Sequence, residues 1–394
     1  MTSNRERKVW LVQSRELSII TDLLPSNIGR QSLVSSLIEA YELDSLCEGI
    51  VRVYAATKSE LISYHDKEFI NFLLKVRSDV DAGIENLEEI KQYIEEEMTK
   101  TDDSLVELEK FGLLHDCYPF PFMGDYVKLI AGTTISSVKT LIQAKNYDTH
   151  NIVINWYGGR HHCHKAKVAG FCYVNDIVLG IQILRKSFSR VFYLDLDLHH
   201  GNGVENAYRA SKNVLTCSIH RYDIGFYPGS GSLKDSSISS VNIPTKRGLS
   251  DTSMMYIIKD IVLPLIERFD PQALVIQTGC DGLSTDEHNE WNLSIKCMGS
   301  VINHLLKETK NVPTLILGGG GYNHTETAKC WTFITNQILQ NEEISNKPIP
   351  EHEHLDAYEK DGFQFWTNDN TIPKRMKDEN TTEYLQQMRD YILN

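Results

Sequence analysis

Two aspartates and a histidine alternate with leucines directly after an apolar, β-prone segment. The segment 195–201 reads Asp-Leu-Asp-Leu-His-His-Gly and follows Val191–Leu194. Because side chains alternate faces along a strand, Asp195, Asp197 and His199 would share one face. Buried carboxylates are costly to desolvate without a partner, and Asp oxygen and His nitrogen are good zinc ligands. The spacing predicts a divalent metal at this strand end; a surface strand with a polar rim is the alternative.

Asp281 lies shortly after a second apolar segment, Ala273–Gln277, and completes three candidate metal ligands with Asp197 and His199. A catalytic zinc site keeps three protein ligands and leaves a position open for water or substrate. The metal would then polarise a carbonyl and lower the pKa of bound water. For Asp281 alone, a helix N-cap after a strand is an equally good interpretation.

Two adjacent histidines, His161 and His162, follow the apolar segment Asn151–Asn155. One could act as a general base while the other serves as an electrostatic helper. A base must be held in one tautomer by an acceptor, and Asp195 and Asn202 are plausible acceptors, one for each histidine. Taken alone, adjacent histidines in a polar loop are more often solvated than catalytic.

Glycines bracket three aromatic side chains that lie outside the predicted strands. Tyr322 follows the run Gly318–Gly321, whose permissive backbone would let the hydroxyl donate to an oxyanion. Gly170 precedes Phe171, and Tyr227 lies between two further glycines. These rings would wall a narrow apolar tunnel, with ordinary core packing or a strand-end turn as the alternative.

The elements that position these residues alternate between short apolar runs and helical stretches, which predicts an α/β fold with a parallel sheet covered on both faces. The predicted strands are Val9–Val12, Asn151–Asn155, Val191–Leu194, Val214–Ile219, Ala273–Gln277 and Thr314–Leu317. The predicted helices are Ser32–Tyr41, Ile84–Met98, Asp125–Ala144, Ser253–Phe269 and Cys297–Thr309. Ligands of such sheets bind at the C-terminal strand ends, where the polar clusters lie. We expect a single domain over residues 1–394, with 341–394 as a peripheral C-terminal extension.

The 394 residues are 41% hydrophobic and carry a formal net charge of −13. This acidity argues against a nucleic-acid binder and suits a basic partner such as a lysine-rich peptide. The eight cysteines form no CxxC pair, which indicates free thiols in a reducing compartment. With neither a signal peptide nor a run of membrane-spanning length, we expect a soluble intracellular protein without membrane contact.

From Leu24 through Trp331, the ordered motifs resemble the zinc-dependent histone deacetylase family, class I type, on the arginase–deacetylase fold. The likeness is to its stand-alone branch, with a fungal Hos-type deacetylase as one candidate. The matching strings are Ser-Leu-Ile-Glu-Ala-Tyr at 36–41, Gly-Gly-Arg-His-His at 158–162, Gly-Phe-Cys-Tyr-Val-Asn-Asp at 170–176, the 195–201 segment and the glycine run ending in Tyr322.

The resemblance implies a role for each matching residue. The catalytic group is His161, His162, Asp195, Asn202 and Tyr322. The zinc ligands are Asp197, His199 and Asp281, a set that iron(II) also tolerates. The substrate-binding residues are Asp116, Gly170, Phe171, Tyr227 and His288. A structural potassium ion is implied at Asp195, Asp197, His199, Ser218 and Ile219, and Arg30 matches the arginine of an internal acetate-release pocket.

Several positions depart from the family pattern. Asn202 replaces the usual class I acid, which removes a partner that would favour a charged His162. Tyr227 stands where Phe is common and His288 where Leu or Met usually lines the rim. Arg160 replaces an apolar residue near the release pocket. These departures bear on substrate preference and pH profile more than on the chemistry.

Other positions separate this chain from related proteins. Glu287 and Thr325 stand where corepressor-bound members carry arginines for inositol phosphate, so no inositol-phosphate-dependent corepressor is expected. Gly201 and Leu283 occupy positions where a dimanganese arginase-like site would need acids. The resemblance implies hydrolysis of N6-acetyl-lysine on histones or another nuclear protein such as a cohesin subunit, in the nucleus and also the cytoplasm. An acetylpolyamine deacetylase and a non-catalytic acetyl-lysine-binding scaffold are the alternatives.

Overall fold

An eight-stranded, all-parallel sheet forms the centre of the computed structural model, which describes residues 7–75, 104–144, 149–341, 344, 347–371 and 376–394. The strands are β1 (Arg7–Leu11), β2 (Gly49–Ile50), β3 (His150–Asn155), β4 (Val191–Asp195), β5 (Val214–Arg221), β6 (Ser240–Thr245), β7 (Ala273–Gln277) and β8 (Thr314–Leu317). Their order across the sheet is β2-β1-β3-β8-β7-β4-β5-β6. The four strands β3, β8, β7 and β4 are therefore consecutive neighbours in the middle of the sheet.

Helices connect the strands and cover both faces of the sheet. Before β3 lie α1 (Arg15–Thr21), α2 (Arg30–Ala40), α3 (Lys58–Leu61), α4 (Lys67–Leu73), α5 (Ser104–Phe111) and α6 (Met123–Gln143). Between β3 and β8 lie α7 (Asp176–Leu184), α8 (Asn202–Tyr208), α9 (Asp251–Ile257), α10 (Leu263–Phe269) and α11 (Ile295–Glu308), with a π-helical stretch Ile258–Val262 joining α9 to α10. After β8 come α12 (His324–Ile338), α13 (Asn368–Thr371) and α14 (Thr382–Leu393).

The predicted α/β class with a parallel sheet is confirmed, and all six predicted strands are present. The prediction missed β2, which is only two residues long, and β6. Pro244 lies within β6, and proline argues against a strand unless that strand is at the sheet edge, which β6 is. The predicted helices match α2, α6, α9 with α10, and α11, whereas α1, α3, α4, α5, α7, α8, α12, α13 and α14 were missed. The predicted helix Ile84–Met98 lies outside the described residues.

Two apolar cores flank the sheet, as expected for strands buried on both faces. One core lies under α2, α9, α11 and α12 and includes Leu194, Leu196 and Leu198. The other lies under α4, α6 and α7 and includes Tyr193. The leucines of the 195–201 segment thus face one core, which directs the alternating acidic side chains of that segment away from it.

The C-terminal residues pack against the same sheet. Tyr358, Phe365, Leu385 and Met388 are buried in the core under α12. All eight cysteines are free. Within the described ranges, no helix combines enough length and apolar character to span a bilayer.

A buried ion-pair cluster ties α12 to this C-terminal segment. The Lys329 ammonium is fully buried, and its Nζ lies 2.9 Å from Glu326 Oε1. It also contacts the Asp361 carboxylate, which is partly exposed. Asn370 donates its Nδ2 hydrogen to Glu326 Oε1 at 3.2 Å. The cluster therefore joins one helix of the main body to two points of the C-terminal chain.

We expect Lys329→Met to lower the free energy of unfolding by about 3–5 kcal/mol, because the Glu326 carboxylate would stay buried without its cation. Chemical denaturation at neutral pH measures this change. Lys128→Met is the matched control, since Lys128 pairs with Asp125 at 2.6 Å on the surface and should cost less than about 1 kcal/mol. Equal losses in the two variants would contradict the role given to the buried cluster.

Candidate active site

The polar clusters of the sequence meet at the C-terminal ends of four adjacent strands. The loop after β3 carries the two histidines, and the segment 195–201 continues β4. The turn after β7 carries Asp281, and the glycine run after β8 leads to Tyr322. Because β3, β8, β7 and β4 are neighbours in the sheet, residues distant in sequence come within hydrogen-bonding distance of each other.

The three candidate metal ligands form one buried group. One ligand atom from each of Asp197, His199 and Asp281 lies within 4.8 Å of the others. His199 Nδ1 lies 2.9 Å from Asp281 Oδ2 and 3.4 Å from Asp197 Oδ1. Asp281 does not cap a helix; its Oδ1 accepts a hydrogen bond from the Leu198 N–H at 3.0 Å.

The charges of these buried carboxylates favour a bound cation. Burial opposes a charge on His199, but its hydrogen bonds to the two carboxylates raise its pKa to about 10. Burial and the neighbouring Asp197 carboxylate raise the pKa of Asp281 to about 6. Two buried carboxylates face a single imidazole, and a divalent ion bound between the three groups would neutralise their negative charge. Two carboxylate oxygens and an imidazole nitrogen with an open side fit a zinc-type ion, and the group is suited to hold one.

Glycines allow the backbone to approach these carboxylates closely. A Cβ atom on Gly279 would lie 2.2 Å from Asp197 Oδ2, and one on Gly320 would lie 2.4 Å from Asp281 Oδ2. The Gly320 N–H instead donates to Asp197 Oδ2 at 2.9 Å. Gln277, the last residue of β7, donates its Nε2 hydrogen to the same oxygen at 2.8 Å. Sequence analysis did not identify Gln277, although a polar residue ending an apolar strand was the available signal.

The adjacent histidines each face one of the two acceptors named from the sequence. His161 Nδ1 lies 2.8 Å from Asp195 Oδ2, and His162 Nδ1 lies 2.9 Å from Asn202 Oδ1. The two rings are 3.9 Å apart. Because the amide oxygen of Asn202 only accepts, His162 carries its hydrogen on Nδ1 and presents a bare Nε2. Asp195 also accepts from the Tyr193 hydroxyl at 2.6 Å, a residue two positions earlier on the same strand face.

The two histidines differ in charge. Burial opposes a proton on His161, but the carboxylates of Asp195 and Asp197 raise its pKa to about 9. Burial lowers the pKa of His162 well below its usual range, and the neighbouring His161 and His199 lower it further. His162 is therefore neutral at pH 7 and able to accept a proton, whereas His161 is cationic.

A buried carboxylate positions the backbone of Tyr322. Asp286 Oδ2 accepts from the Tyr322 N–H at 2.7 Å and from the Asn323 N–H at 3.3 Å. Asp286 Oδ1 accepts from the backbone N–H of His288 at 3.0 Å and lies 3.0 Å from its Nδ1. Sequence analysis missed Asp286, because it lies in a loop where no periodic pattern or motif distinguishes it from a solvated acid.

The predicted tunnel residues surround the two histidines and Tyr322. The Phe171 and Tyr322 rings are 5.8 Å apart, and the Tyr227 ring lies 5.1 Å from His162 with 41% of the residue exposed. A Cβ atom on Gly170 would lie 2.3 Å from the His162 ring, so only glycine fits at this wall. Phe171, Tyr322, His162 and Gly170 border a narrow cavity of about 20 Å³.

Two more of the predicted substrate residues lie at the edge of this pocket. Asp116 accepts from the Gly170 N–H through Oδ2 at 2.6 Å. The His288 ring lies 4.9 Å from His199 and 4.7 Å from Tyr322, and its side chain is 30% exposed. Burial opposes a proton on His288, but the hydrogen bond to Asp286 raises its pKa.

The residues assigned to a monovalent cation lie behind the metal group. Asp195 and Ser218 are direct neighbours in the register of β4 and β5, and Ile219 is fully buried beside them. Asp195 Oδ1 accepts from the Asp197 N–H at 3.2 Å. The Ser218 hydroxyl accepts from the Gly201 N–H at 3.4 Å. Arg30, assigned to the release pocket, is buried and donates from Nη1 to the Gly321 carbonyl at 2.9 Å.

Comparisons with known proteins agree with this architecture. Histone deacetylase HOS1 of Saccharomyces cerevisiae is 32% identical over 442 residues, covering 91% of this chain and 93% of that protein. Histone deacetylase 8 of Xenopus tropicalis is 33% identical over 387 residues, covering 97% and 96%. Histone deacetylase B of Dictyostelium discoideum is 31% identical over 374 residues, covering 94% and 81%.

The histone deacetylase domain, taken as a family profile, matches residues 24–338. This span contains every strand from β2 to β8, the metal group, both histidines and Tyr322. The alignments with the three relatives extend this similarity to 91–97% of the chain. The chain belongs to the histone deacetylase family and is a hydrolase that deacetylates lysine.

Proposed function

We propose that this enzyme is a zinc-dependent protein lysine deacetylase that acts in the nucleus, and also in the cytoplasm, on histone tails or another nuclear protein such as a cohesin subunit. The observation that carries the proposal is the neutral His162, held by Asn202 with its Nε2 bare, beside a buried Asp–His–Asp group. The identity to histone deacetylases supports the substrate class.

Asp197, His199 and Asp281 would hold the zinc ion, and iron(II) suits the same donors. When bound, such an ion polarises the substrate carbonyl and lowers the pKa of a water molecule. We also assign a structural potassium ion to the oxygen atoms around Asp195 and Ser218.

The chain's own residues then move the protons. His162 Nε2 accepts a proton from the attacking water, since burial keeps this imidazole neutral. The Tyr322 hydroxyl donates to the oxyanion that develops on the former carbonyl. His162 then returns its proton to the leaving lysine amine. The cationic His161, paired with Asp195, stabilises the negative charge that accumulates.

The pocket walls orient the substrate. Phe171 and Tyr227 would enclose the apolar lysine stem, and Asp116 would accept from backbone amides of the bound peptide. We assign His288 to the rim and Arg30 to a pocket that receives the released acetate. The net charge of −13 suits a lysine-rich, basic polypeptide rather than nucleic acid. Because Glu287 and Thr325 are not arginines, we propose that no inositol-phosphate-dependent corepressor is required.

We expect His162→Ala to lower kcat on an acetyl-lysine peptide by about 10²–10⁴, because the variant lacks the base that activates water. Acetate release by zinc-loaded protein measures this change. His304→Ala in α11, outside the pocket, is the matched control and should retain activity. Chelation of the metal should also abolish turnover by the wild type, and added zinc should restore it.

Other outcomes of this assay favour other functions. Turnover of acetylated polyamines but of no acetylated peptide would indicate a small-molecule deacetylase. No turnover of either by the metal-loaded wild type, with acetyl-lysine binding retained, would indicate a binding scaffold and overturn the proposal.

We expect Asn202→Asp to move the acidic limb of the kcat/KM profile to higher pH by about one unit or more. A carboxylate at this position stabilises the protonated imidazole and raises the pKa of His162, so the neutral base is lost at a higher pH than in the wild type. The pH dependence of kcat/KM on one peptide measures the shift. Asn202→Ala, which removes the acceptor without adding charge, should lower activity with no such upward shift. An unmoved limb in Asn202→Asp would show that His162 is not the group titrating.

A further inference from the structure

A second and larger cavity lies at the N-terminal edge of the sheet, at the opposite end of the strands from the active site. Strands β1 and β3 begin there, at Arg7 and His150, and α11 ends beside them. The cavity has a volume of about 430 Å³, against about 20 Å³ for the acyl pocket. Because β3 is six residues long, roughly 17 Å of strand separates its two ends. A small compound bound here would therefore not contact the acyl pocket.

Cations line this cavity, and no acidic side chain of the described residues does. Arg7, Lys307 and Lys310 supply the positive charge, and we call the space between them the basal cavity. Glu308 is the neighbour of Lys307 in α11 but does not line it. The chain as a whole carries 53 acidic and 40 basic residues, so three cations without an acid run against the overall balance. A local excess of positive charge of this kind attracts anions.

The inner part of the basal cavity is closed to solvent. Arg7 is 8% exposed, His150 3% and Leu306 1%. Burial, together with the Arg7 charge, lowers the pKa of His150 to about 4, so this imidazole is neutral at pH 7. Its Nε2 lies 3.1 Å from Thr314 Oγ1. The Arg7 guanidinium is therefore the fixed charge of the cavity floor, where salt screens it less than at the surface.

Helix C-termini account for only part of the positive charge. Arg7 donates from Nη1 to the carbonyls of Gln337 and Ile338 in α12, both at 3.4 Å. Lys307 lies in the last turn of α11, where a cation offsets the helix dipole. That effect is confined to the last turn, and Lys310 lies beyond it. Within the described part of the chain neither lysine forms an ion pair, so both ammonium groups are available to a ligand.

Three amide side chains add hydrogen-bond donors to the wall of the basal cavity. Asn303 Oδ1 accepts from Arg7 Nη2 at 2.9 Å, which leaves the amide nitrogen of Asn303 to donate. Asn311 (φ 65°) and Gln340 (φ 53°) have left-handed backbone in the turns that follow α11 and α12. Glycine usually occupies such helix-ending positions. Here both side chains line the cavity, where a glycine would offer no side-chain donor.

The lining matches a small compound with more than one phosphate group. Arginine and lysine are the usual protein ligands of phosphate oxygens, the first through paired N–H donors and the second as a point charge. Three positive charges exceed what a single carboxylate would neutralise. Leu306 is the one apolar side chain among the described lining residues, so an apolar ligand would find little to contact. The volume lies in the range of small-molecule sites, about 300–1,000 Å³.

We propose that the basal cavity binds a small organic compound carrying at least two phosphate groups, with Arg7, Lys307 and Lys310 as its charged ligands. This site is additional to the deacetylase function and shares no residue with the acyl pocket. A bound phosphate compound would link the first residues of β1 and β3 to the ends of α11 and α12. Because it binds only the folded chain, it would also stabilise the fold.

The test uses fructose 1,6-bisphosphate as the probe compound, titrated calorimetrically into the zinc-loaded 394-residue protein at constant ionic strength. We expect saturable binding to the wild type. The dissociation constant should rise tenfold or more in Lys307→Gln/Lys310→Gln, because two charge-assisted contacts are lost. Lys234→Gln/Lys259→Gln is the matched control, since it changes the net charge equally at exposed positions outside the cavity and should bind as the wild type does.

Thermal unfolding gives a second readout. Saturating probe compound should raise the unfolding temperature of the wild type and of the control variant, but not that of Lys307→Gln/Lys310→Gln. Acetate release should be the same in all three proteins, because neither pair of lysines lies at the acyl pocket.

Four results would overturn the site. Equal binding of the probe compound by all three proteins would place it elsewhere, for example on the metal. An equal response to sulfate would indicate an adventitious ion only. If the lysines serve only the helix ends, Lys307→Gln/Lys310→Gln would unfold at a lower temperature with an unchanged response to the probe compound. Binding of an aspartate-rich peptide, with no binding of the bisphosphate, would assign the cavity to a protein partner instead.

Discussion

The structure depends on the burial of two carboxylates, Asp197 and Asp281, at the C-terminal edge of a parallel sheet. Each is almost wholly withdrawn from water, so each oxygen needs a donor or a cation. Backbone N–H groups of Leu198 and Gly320 and the amide of Gln277 supply the donors. The glycines beside them exist because any Cβ atom would collide with these oxygens. The remaining negative charge is what a divalent cation would neutralise.

The negative charge of these carboxylates also gives the two adjacent histidines different protonation states. His161 lies against the carboxylates and is protonated, whereas His162 lies one residue further along, against a neutral amide, and is not. Two identical side chains thus serve different purposes because of the groups that face them. The acidic cluster holds His161 as a cation, and burial together with that cation keeps His162 a free base.

Much of this arrangement could be predicted from the sequence, because it follows from strand periodicity and from strand ends meeting at one edge. The period of two places Asp195, Asp197 and His199 on one face, and the strand ends bring Asp281 to them. Asp286 could not be predicted, since its partners are backbone N–H groups 36 and 37 residues away along the chain. The edge strand β6 was missed because Pro244 and its polar neighbours hide the apolar pattern.

Asp286 has a consequence for how this pocket can change over evolution. One of its oxygens supports the loop of Tyr322 and the other supports the rim residue His288. Asp286 binds the backbone N–H of His288, so the side chain at position 288 can be replaced without loss of this hydrogen bond. The hydrogen bond from Asp286 to the Tyr322 backbone is then also retained. The mouth of the pocket can therefore change at position 288 without moving the loop of Tyr322, because one buried acid holds both segments by their backbones.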